Sequence, residues 1–327
     1  MDLSLAPQIA VTGAGGFIGL ALARRLRDEG ASVVGLDLDP RAAARIEAAG
    51  ARFALVDTTD APAVHAALDG CDGVIHTAAK VTDWGPMAEF VRVNVGGTRN
   101  VLEAAEACGA QRFVHVSSVA TWGYDFTVDL SEDAPPRVSG APYADTKAAS
   151  HLLALSHGAA VVRPGDVYGP GSIPWIIRPL ETMRARKFIL PGKGEGIMTP
   201  VYVDDLVDCI VRALVHPDAG GEAVTAWDGE AITAADFFAF HARMLGRDGV
   251  PTLPAPLVRA GAWGEEMRAR LLRQTPSVSR QSIVYISRKA VYPNTRAKEL
   301  LGWEPRVKLA DGMARSEEWA RAEGLLG

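Results

Sequence analysis

A glycine-rich turn between an apolar strand and a helix constrains this chain more than any other feature. Residues 9–12 predict a short buried strand, and apolar residues recur at helical spacing over residues 17–26. Gly13, Gly16 and Gly19 follow the strand with GxxGxxG spacing. Such glycines permit a tight turn, a close approach of backbone to a pyrophosphate, and close packing of helix on sheet. The N–H groups and positive dipole at the helix start attract phosphate, so the turn predicts a dinucleotide site rather than an ordinary loop.

Short apolar strands alternate with helices through the first half of the chain. Strands are predicted at residues 9–12, 32–36, 53–56, 73–76, 113–116 and 159–163, and helices at residues 17–26, 41–49, 61–68, 89–108 and 143–157. Nearly continuous apolar strands separated by helices are typical of a parallel sheet that is covered on both faces. We therefore predict an α/β fold with a doubly wound, Rossmann-type parallel sheet.

The pattern changes after Pro164, where prolines and glycines cluster at residues 164–174 and 191–200. At about 150 residues per domain, a chain of 327 residues suggests two domains, or one domain with an added lobe. We predict a nucleotide-binding domain over residues 1–165. Residues 166–327 are predicted to form mostly a smaller, C-terminal substrate-binding lobe, with residues 197–215 returning to the sheet.

Composition and charge argue against several classes of protein. The net charge is −5, whereas a nucleic-acid binder normally has a surplus of basic residues. Three widely spaced cysteines without a CxxC pattern argue against a disulfide framework and a zinc site, and we predict no metal. The N-terminus lacks the basic region and long apolar run of a signal peptide. No uninterrupted apolar stretch reaches the length of about 18 residues that indicates a membrane span. We expect a cytoplasmic protein.

An acidic residue at the end of the second strand bears on the choice of nucleotide. Asp37 lies about 20 residues beyond the glycine turn, where a carboxylate can accept hydrogen bonds from a ribose 2′-hydroxyl. The same carboxylate would repel a 2′-phosphate, which favours NAD over NADP. Arg41 and Arg45 lie close enough in sequence to keep NADP as the less favoured alternative.

A tyrosine and a lysine four residues apart form the second chemical feature. Tyr143 and Lys147 fall on one face of the predicted helix at residues 143–157. A phenol has an ordinary pKa of about 10, and a neighbouring ammonium and a cationic nicotinamide favour its charged form. Tyr143 can then act as general base in alcohol oxidation and as general acid in the reverse direction. Ser118 ends the preceding strand, at the sheet edge where ligands bind, and its hydroxyl can hydrogen-bond the reacting oxygen.

Ordered motifs along nearly the whole chain resemble those of the extended short-chain dehydrogenases/reductases, the NAD-dependent epimerase/dehydratase superfamily. They are TGAGGFIG at 12–19, Asp57 after the third strand, HTAA at 76–79, NVGGTRN at 94–100, VSS at 116–118, the pair Tyr143 and Lys147, RPGDVYGPG at 163–171 and VYVDD at 201–205.

The resemblance implies a catalytic triad and a cofactor site. Ser118 would orient the substrate oxygen, Tyr143 would move the proton, and Lys147 would hold the nicotinamide ribose and acidify Tyr143. Asp57 with Thr58 would meet the adenine, and Val167 the nicotinamide. The full set of implied cofactor-binding residues is Gly13, Gly16, Phe17, Ile18, Gly19, Asp37, Asp57, Thr58, Ala78, Ala79, Lys80, Asn94, Tyr143, Lys147, Pro164 and Val167.

Within this superfamily the chain resembles the 3β-hydroxysteroid dehydrogenase-like branch. Dehydratases carry Thr-Asp-Glu where this chain has SVA at 118–120, and epimerases usually place a diphosphate-binding arginine where it has MTP at 198–200. Residues 76–85, 200–203 and 287–303 resemble the steroid branch instead. Related branches reduce long-chain β-keto acids or flavonoid-type ketones, and the sequence does not separate these.

We therefore expect an NAD-dependent oxidoreductase that interconverts a secondary alcohol and a ketone on a hydrophobic substrate, sterol-like or long-chain. Trp84, Trp122 and Trp175 are candidate pocket residues, although core packing is the plainer interpretation of each. A nucleotide-sugar epimerase working through transient oxidation by bound NAD is the alternative, and an NAD-binding regulatory protein is a more distant one. The resemblance also implies a homodimer formed through the helices at residues 89–108 and 143–157.

Overall fold

Strands and helices alternate in the computed structural model, which describes residues 1–124 and 130–326. The strands are β1 (Gln8–Thr12), β2 (Ser32–Asp37), β3 (Arg52–Leu55), β4 (Gly73–His76), β5 (Arg112–Val116), β6 (Ala160–Pro164), β7 (Asp166–Tyr168), β8 (Leu190–Pro191), β9 (Ile197–Met198), β10 (Pro200–Tyr202), β11 (Ala223–Ala226), β12 (Ile232–Thr233) and β13 (Thr252–Leu253).

The helices are α1 (Phe17–Asp28), α2 (Ala43–Ala48), α3 (Ala61–Leu68), α4 (Met87–Phe90), α5 (Gly97–Ala107), α6 (Pro142–Ser156), α7 (Arg178–Arg184), α8 (Val203–Val215), α9 (Ala234–Met244), α10 (Ala255–Leu272), α11 (Arg280–Ile286), α12 (Thr295–Leu301) and α13 (Leu309–Ala322). A π-helical segment, Val91–Gly96, joins α4 to α5, so the helix predicted at residues 89–108 is one continuous helical stretch.

Seven parallel strands form the main sheet in the order β11-β6-β5-β4-β1-β2-β3, which confirms the predicted doubly wound fold. Ile9 of β1 pairs with Val33 on one side and with Gly73 on the other. The chain order therefore reverses between β1 and β4. Ligands bind at such a switch point, outside the carboxyl ends of the strands.

Apolar side chains cover both faces of this sheet, as its nearly continuous apolar strands predict. On one face, Leu22 and Leu26 of α1 join Leu206 and Ile210 of α8 in the core. On the other face, α3 and α5 bury a second cluster that includes Val64 and Val101. α5 also packs against α6 in the same protomer. The homodimer through these helices stays a prediction.

The second half of the chain surrounds the carboxyl ends of β5 and β6 with short strand pairs. β7 pairs with β10, β8 with β13, and β9 with β12, all outside the main sheet. Residues 197–215, which the sequence predicted to return to the sheet, provide α8, and α8 packs against β5 and β6. The strand that the second half adds to the main sheet is β11, which pairs with β6. Within the described residues, no helix has both the length and the apolar character needed to cross a membrane.

Candidate active site

The glycine turn after β1 brings backbone segments into close contact. Gly13 has a φ of 66°, in the left-handed region that favours glycine, and a Cβ there would stand 3.0 Å from the backbone of Ala78. A Cβ on Gly19 would stand 2.2 Å from the carbonyl oxygen of Gly13. α1 begins at Phe17 without a side-chain cap on its first N–H groups. The turn therefore offers backbone donors at a helix start, as a phosphate cradle requires.

Asp37 is held at the carboxyl end of β2, next to the glycine turn. Its carboxylate accepts hydrogen bonds from the backbone N–H of Gly15 and of Asp39, each at 2.9 Å. Arg41 pairs instead with the carboxylate of Asp39, at 2.9 Å, and its side chain extends into solvent. Arg41, one of the two arginines that kept NADP open, thus has an acidic partner of its own.

The other predicted cofactor residues lie along the same edge of the sheet. Asp57 follows β3 and is exposed, whereas Thr58 is buried beneath α5, where a Cβ on Gly97 would stand 2.6 Å from its hydroxyl. The N–H of Lys80 donates to the side chain of Asn94 at 2.7 Å. Ala78 and Ala79 follow β4 directly, and Pro164 ends β6, with Val167 two residues into the next segment on β7. The fold thus brings these dispersed positions to the switch-point edge.

The predicted triad assembles where β5 ends against the first turns of α6. The Ser118 hydroxyl lies against Tyr143, close enough to lower the pKa of its phenol by hydrogen bonding. One turn further along α6, the Lys147 ammonium donates to the carbonyl of Val116 at 2.7 Å, and the Lys147 side chain is only 3% exposed. Proline at the first position of α6 suits the start of a helix and sets Tyr143 in its first turn. The three side chains therefore meet on one face of α6.

Burial sets the proton affinities of these groups. It lowers the pKa of Lys147 to about 7 and raises the pKa of Tyr143, while the hydrogen bond from Ser118 works in the opposite direction. Burial alone thus disfavours both the ammonium and the phenolate. A positive charge close to Tyr143 is what would favour its phenolate.

Two further hydrogen bonds tie β5 to α6, and the sequence analysis did not identify them. His115 bonds Ser150, and Ser117 bonds His151, each at 3.2 Å. Together with the bond from Lys147 to Val116, three consecutive residues at the strand end are bonded to α6. Burial, followed by the charges of Arg163 and Lys147, lowers the pKa of His151 to about 3, so this histidine is neutral. The only sequence signal for this network was a histidine and a serine near each other on both the strand end and the helix, His115 with Ser117 and Ser150 with His151.

A cavity of about 710 Å³ opens at the start of α6, and Ser118, Tyr143 and Lys147 are not among the residues that line it. Trp84, Tyr124 and Pro142 line it, and Pro142 immediately precedes Tyr143. Its charged lining is mostly basic, with five basic side chains and two acidic ones. The protein as a whole has a net charge of −5. The basic residues are Arg259, Arg270, Arg280, Arg288 and Lys289, and the acidic ones are Asp83 and Glu266.

The three tryptophans predicted for the pocket have different positions. Trp84 lines the cavity. The structure corrects the expectation for Trp122, which is 1% exposed, donates from its indole to the carbonyl of Ala134 at 2.8 Å and stacks on Tyr292. Its apolar ring contributes to the core. Trp175 packs behind the cavity against Tyr285, with ring centroids 5.7 Å apart.

A buried ion pair behind the cavity was also missed from the sequence. Asp166 of β7 pairs with Arg288, and both side chains are fully buried. The carboxylate also accepts hydrogen bonds from the Tyr285 hydroxyl at 2.6 Å and the Thr199 N–H at 2.8 Å. Burial works against the charge on Arg288, but Asp166 together with Tyr285 and Tyr292 outweighs it and keeps the pKa of the guanidinium above its usual value. An acid at the start of the short buried strand β7 was the available signal, because a buried charge needs a partner.

The model of the NAD dependent epimerase/dehydratase family matches residues 9–226. A UDP-glucose 4-epimerase of Mycolicibacterium smegmatis is 31% identical over 95% of this chain and 97% of its own length. A 2-alkyl-3-oxoalkanoate reductase of Stenotrophomonas maltophilia is 28% identical over 94% and 98%. A 3 beta-hydroxysteroid dehydrogenase/Delta 5-->4-isomerase of Mycobacterium tuberculosis is 29% identical over 70% and 67%.

Among solved structures, MoeE5 in complex with UDP-glucose and NAD superposes with a TM-score of 0.78 at 26% sequence identity. The superposition covers 97% of this chain and 99% of MoeE5. The likeness therefore extends through both halves of the chain.

Proposed function

This chain belongs to the NAD-dependent epimerase/dehydratase family, and from that premise we propose that it interconverts a secondary alcohol and a ketone on a hydrophobic substrate. The membership confirms the predicted resemblance to extended short-chain dehydrogenases/reductases, the enzyme class and NAD as the cofactor. One observation carries the proposal: Ser118, Tyr143 and Lys147 come together next to Pro142 and Tyr124, which line a cavity large enough for a small-molecule substrate.

The residues of the switch-point edge fit NAD. The uncapped start of α1 and the glycines before it would hold the pyrophosphate. Asp37 would accept the ribose hydroxyls, Thr58 would lie at the adenine, and Val167 at the nicotinamide. When bound, NAD supplies the hydride acceptor for oxidation, and its reduced form supplies the donor for reduction.

The protein's own groups would handle the proton. Ser118 would hold the substrate oxygen beside the Tyr143 hydroxyl. In oxidation Tyr143, as phenolate, would take the alcohol proton while the C–H bond of the carbinol carbon breaks, and in reduction it would return that proton to the ketone oxygen. Lys147 is fixed by its bond to Val116 and would supply the positive charge that the buried phenolate needs.

The cavity lining supports a substrate that has an anionic group as well as an apolar body. Trp84, Tyr124 and Val284 provide apolar surface, whereas the surplus of basic side chains favours a negative charge. Among the hydrophobic alternatives, this supports a long-chain β-hydroxy or β-keto acid over a neutral sterol. The 28% identical relative that is named a 2-alkyl-3-oxoalkanoate reductase supports the same choice.

The direct test is to follow the absorbance of reduced nicotinamide while purified protein and NAD meet a panel of alcohols. The panel holds long-chain β-hydroxy acids, their methyl esters, 3β-hydroxysteroids, flavan-type alcohols and UDP-sugars. We expect NADH to accumulate with the free β-hydroxy acids and much less with their uncharged esters. If only the steroids are oxidised, the proposal of an anionic substrate is wrong. If no alcohol of the panel produces NADH, the proposal that the protein catalyses a net oxidation is wrong.

A nucleotide-sugar epimerase is the second candidate, and the same basic lining together with the 31% identical UDP-glucose 4-epimerase supports it. An epimerase regenerates its NAD in each cycle and accumulates no NADH. A rise in melting temperature with UDP but not with a long-chain acid would favour it, because a ligand that binds only the folded protein stabilises that state.

Replacing Asp37 with asparagine is expected to relax the preference for NAD over NADP. The substitution removes a carboxylate that accepts hydrogen bonds and repels a 2′-phosphate, so the ratio of kcat/KM for NAD to that for NADP should fall roughly 10- to 100-fold. Asp28→Asn is the matched control, since that exposed carboxylate lies at the end of α1 away from the glycine turn. An unchanged ratio in Asp37→Asn would show that another group selects the nucleotide.

A further inference from the structure

Helix α10, which contributes to the wall of the cavity, exposes a continuous apolar face. Leu257 is 60% exposed, Trp263 55% and Leu271 83%, with Met267 between them also exposed. At about 100° per residue these four side chains fall within an arc of roughly 120° on the helix. We refer to Leu257, Trp263, Met267 and Leu271 as the outer stripe. A large apolar patch that stays exposed on a folded protein usually marks an interaction site.

The protein itself covers only the opposite side of this helix. The buried residues of α10 are Ala262, Glu266 and Ala269. Glu266 pairs with Arg280 of α11 at 2.8 Å and accepts the Arg280 N–H at 2.7 Å, so α10 is fixed on α11 through this side. The outer stripe is therefore presented on a helix whose orientation is fixed.

Positive charge accompanies the stripe. Arg259 and Arg270 lie beside it at helical spacing, and Arg273 follows the last turn. In the described part of the chain none of these three arginines forms an ion pair, whereas both glutamates of α10 are paired, Glu265 with Arg268 and Glu266 with Arg280. The uncompensated charge of this face is thus cationic, although the protein as a whole has a net charge of −5.

The same helix forms one wall of the cavity. Arg259, Glu266 and Arg270 line it, and the Arg270 guanidinium stands 5.3 Å from the ring centroid of Trp84. Whatever covers the outer stripe therefore lies next to the entrance of the site.

We propose that the outer stripe docks on the surface of an anionic lipid bilayer and holds the cavity mouth against the lipid. Leucine, methionine and tryptophan on one face with arginines beside them is the pattern of a helix that lies in the headgroup region. Anionic headgroups complement the three arginines. A second copy of the chain fits less well, because a two-fold contact would bring like-charged arginines together. The inference extends the proposed function, since a hydrophobic substrate would enter from the bilayer, but docking itself is measured without any substrate.

The test is flotation of the purified full chain with two kinds of vesicle. One is phosphatidylcholine alone, and the other is phosphatidylcholine with about 30 mol% phosphatidylglycerol, an anionic lipid that gives the surface a negative potential. We expect binding to the anionic vesicles, weaker binding as salt is raised, and at least tenfold weaker partitioning of Trp263→Ser/Leu271→Ser. Leu5→Ser is the matched control, because Leu5 is 79% exposed and lies on the first turn of the chain, outside α10. It should partition like the wild type, and equal melting temperatures would show that all three proteins are folded.

Three results would overturn the proposal. The wild type could stay at the bottom of the gradient with anionic vesicles, or the double variant could partition like the wild type. Sedimentation could instead reveal a dimer that the double variant loses, which would assign the stripe to a second copy. None of these depends on turnover, so a failed substrate panel with intact vesicle binding would reject the proposed function alone.

Discussion

Replacing Tyr143 with phenylalanine should lower kcat about 1,000-fold and leave the affinity for NAD close to that of the wild type. A positioned proton donor or acceptor contributes roughly 10²- to 10⁴-fold to such reactions, and the substitution removes only the phenolic hydroxyl that lies beside Ser118. The measurement is single-substrate kinetics with the alcohol that the panel identifies, together with a direct NAD titration.

Tyr124→Phe is the matched control for this prediction. Tyr124 lines the cavity near Tyr143 and is a second phenol that the substrate could meet. Burial raises the pKa of Tyr124, which keeps its hydroxyl protonated. Loss of the Tyr124 hydroxyl should change KM more than kcat. Full activity in Tyr143→Phe, or an equally large loss of kcat in Tyr124→Phe, would move the proton transfer away from Tyr143.

Replacing Asp166 with asparagine should destabilise the protein by about 3–5 kcal/mol, because it leaves the buried charge of Arg288 without its partner. Both side chains are fully buried, so solvent cannot take over the role of the carboxylate. Tyr285 and Thr199 also lose part of their shared acceptor. The measurement is the urea concentration at the midpoint of unfolding, monitored by circular dichroism.

The double variant Asp166→Leu/Arg288→Met separates loss of an ion pair from loss of packing. Removing both charges avoids the uncompensated guanidinium, so the double variant should be more stable than Asp166→Asn. Equal destabilisation of the two proteins would show that packing around β7, rather than the charge, carries the effect. Because Arg288 lines the cavity, stability is the informative readout here, and activity is not.

Local sequence was sufficient wherever a short segment carries its own structural requirement. The glycine turn demands small residues at fixed spacing: Gly13 has a φ of 66°, and a Cβ on Gly19 would stand 2.2 Å from the carbonyl oxygen of Gly13. Tyr143 and Lys147 share a helix face by periodicity alone. The alternation of apolar strands with helices likewise determined the parallel sheet, because burial on both faces leaves a recognisable composition.

Tertiary structure decided what depends on residues far apart in the chain. Asp166 and Arg288 are separated by 122 positions, and nothing local to either predicts that they meet. The position of Trp122 in the core, the basic lining of the cavity and the exposed face of α10 also follow from how distant segments pack. Sequence alone thus determined the sheet, the nucleotide turn and the shared helix face of Tyr143 and Lys147, since these are properties of single strands, helices and turns. The charge of the cavity depends on tertiary structure, because α10 and α11 pack against each other and bring arginines from separate segments into its lining.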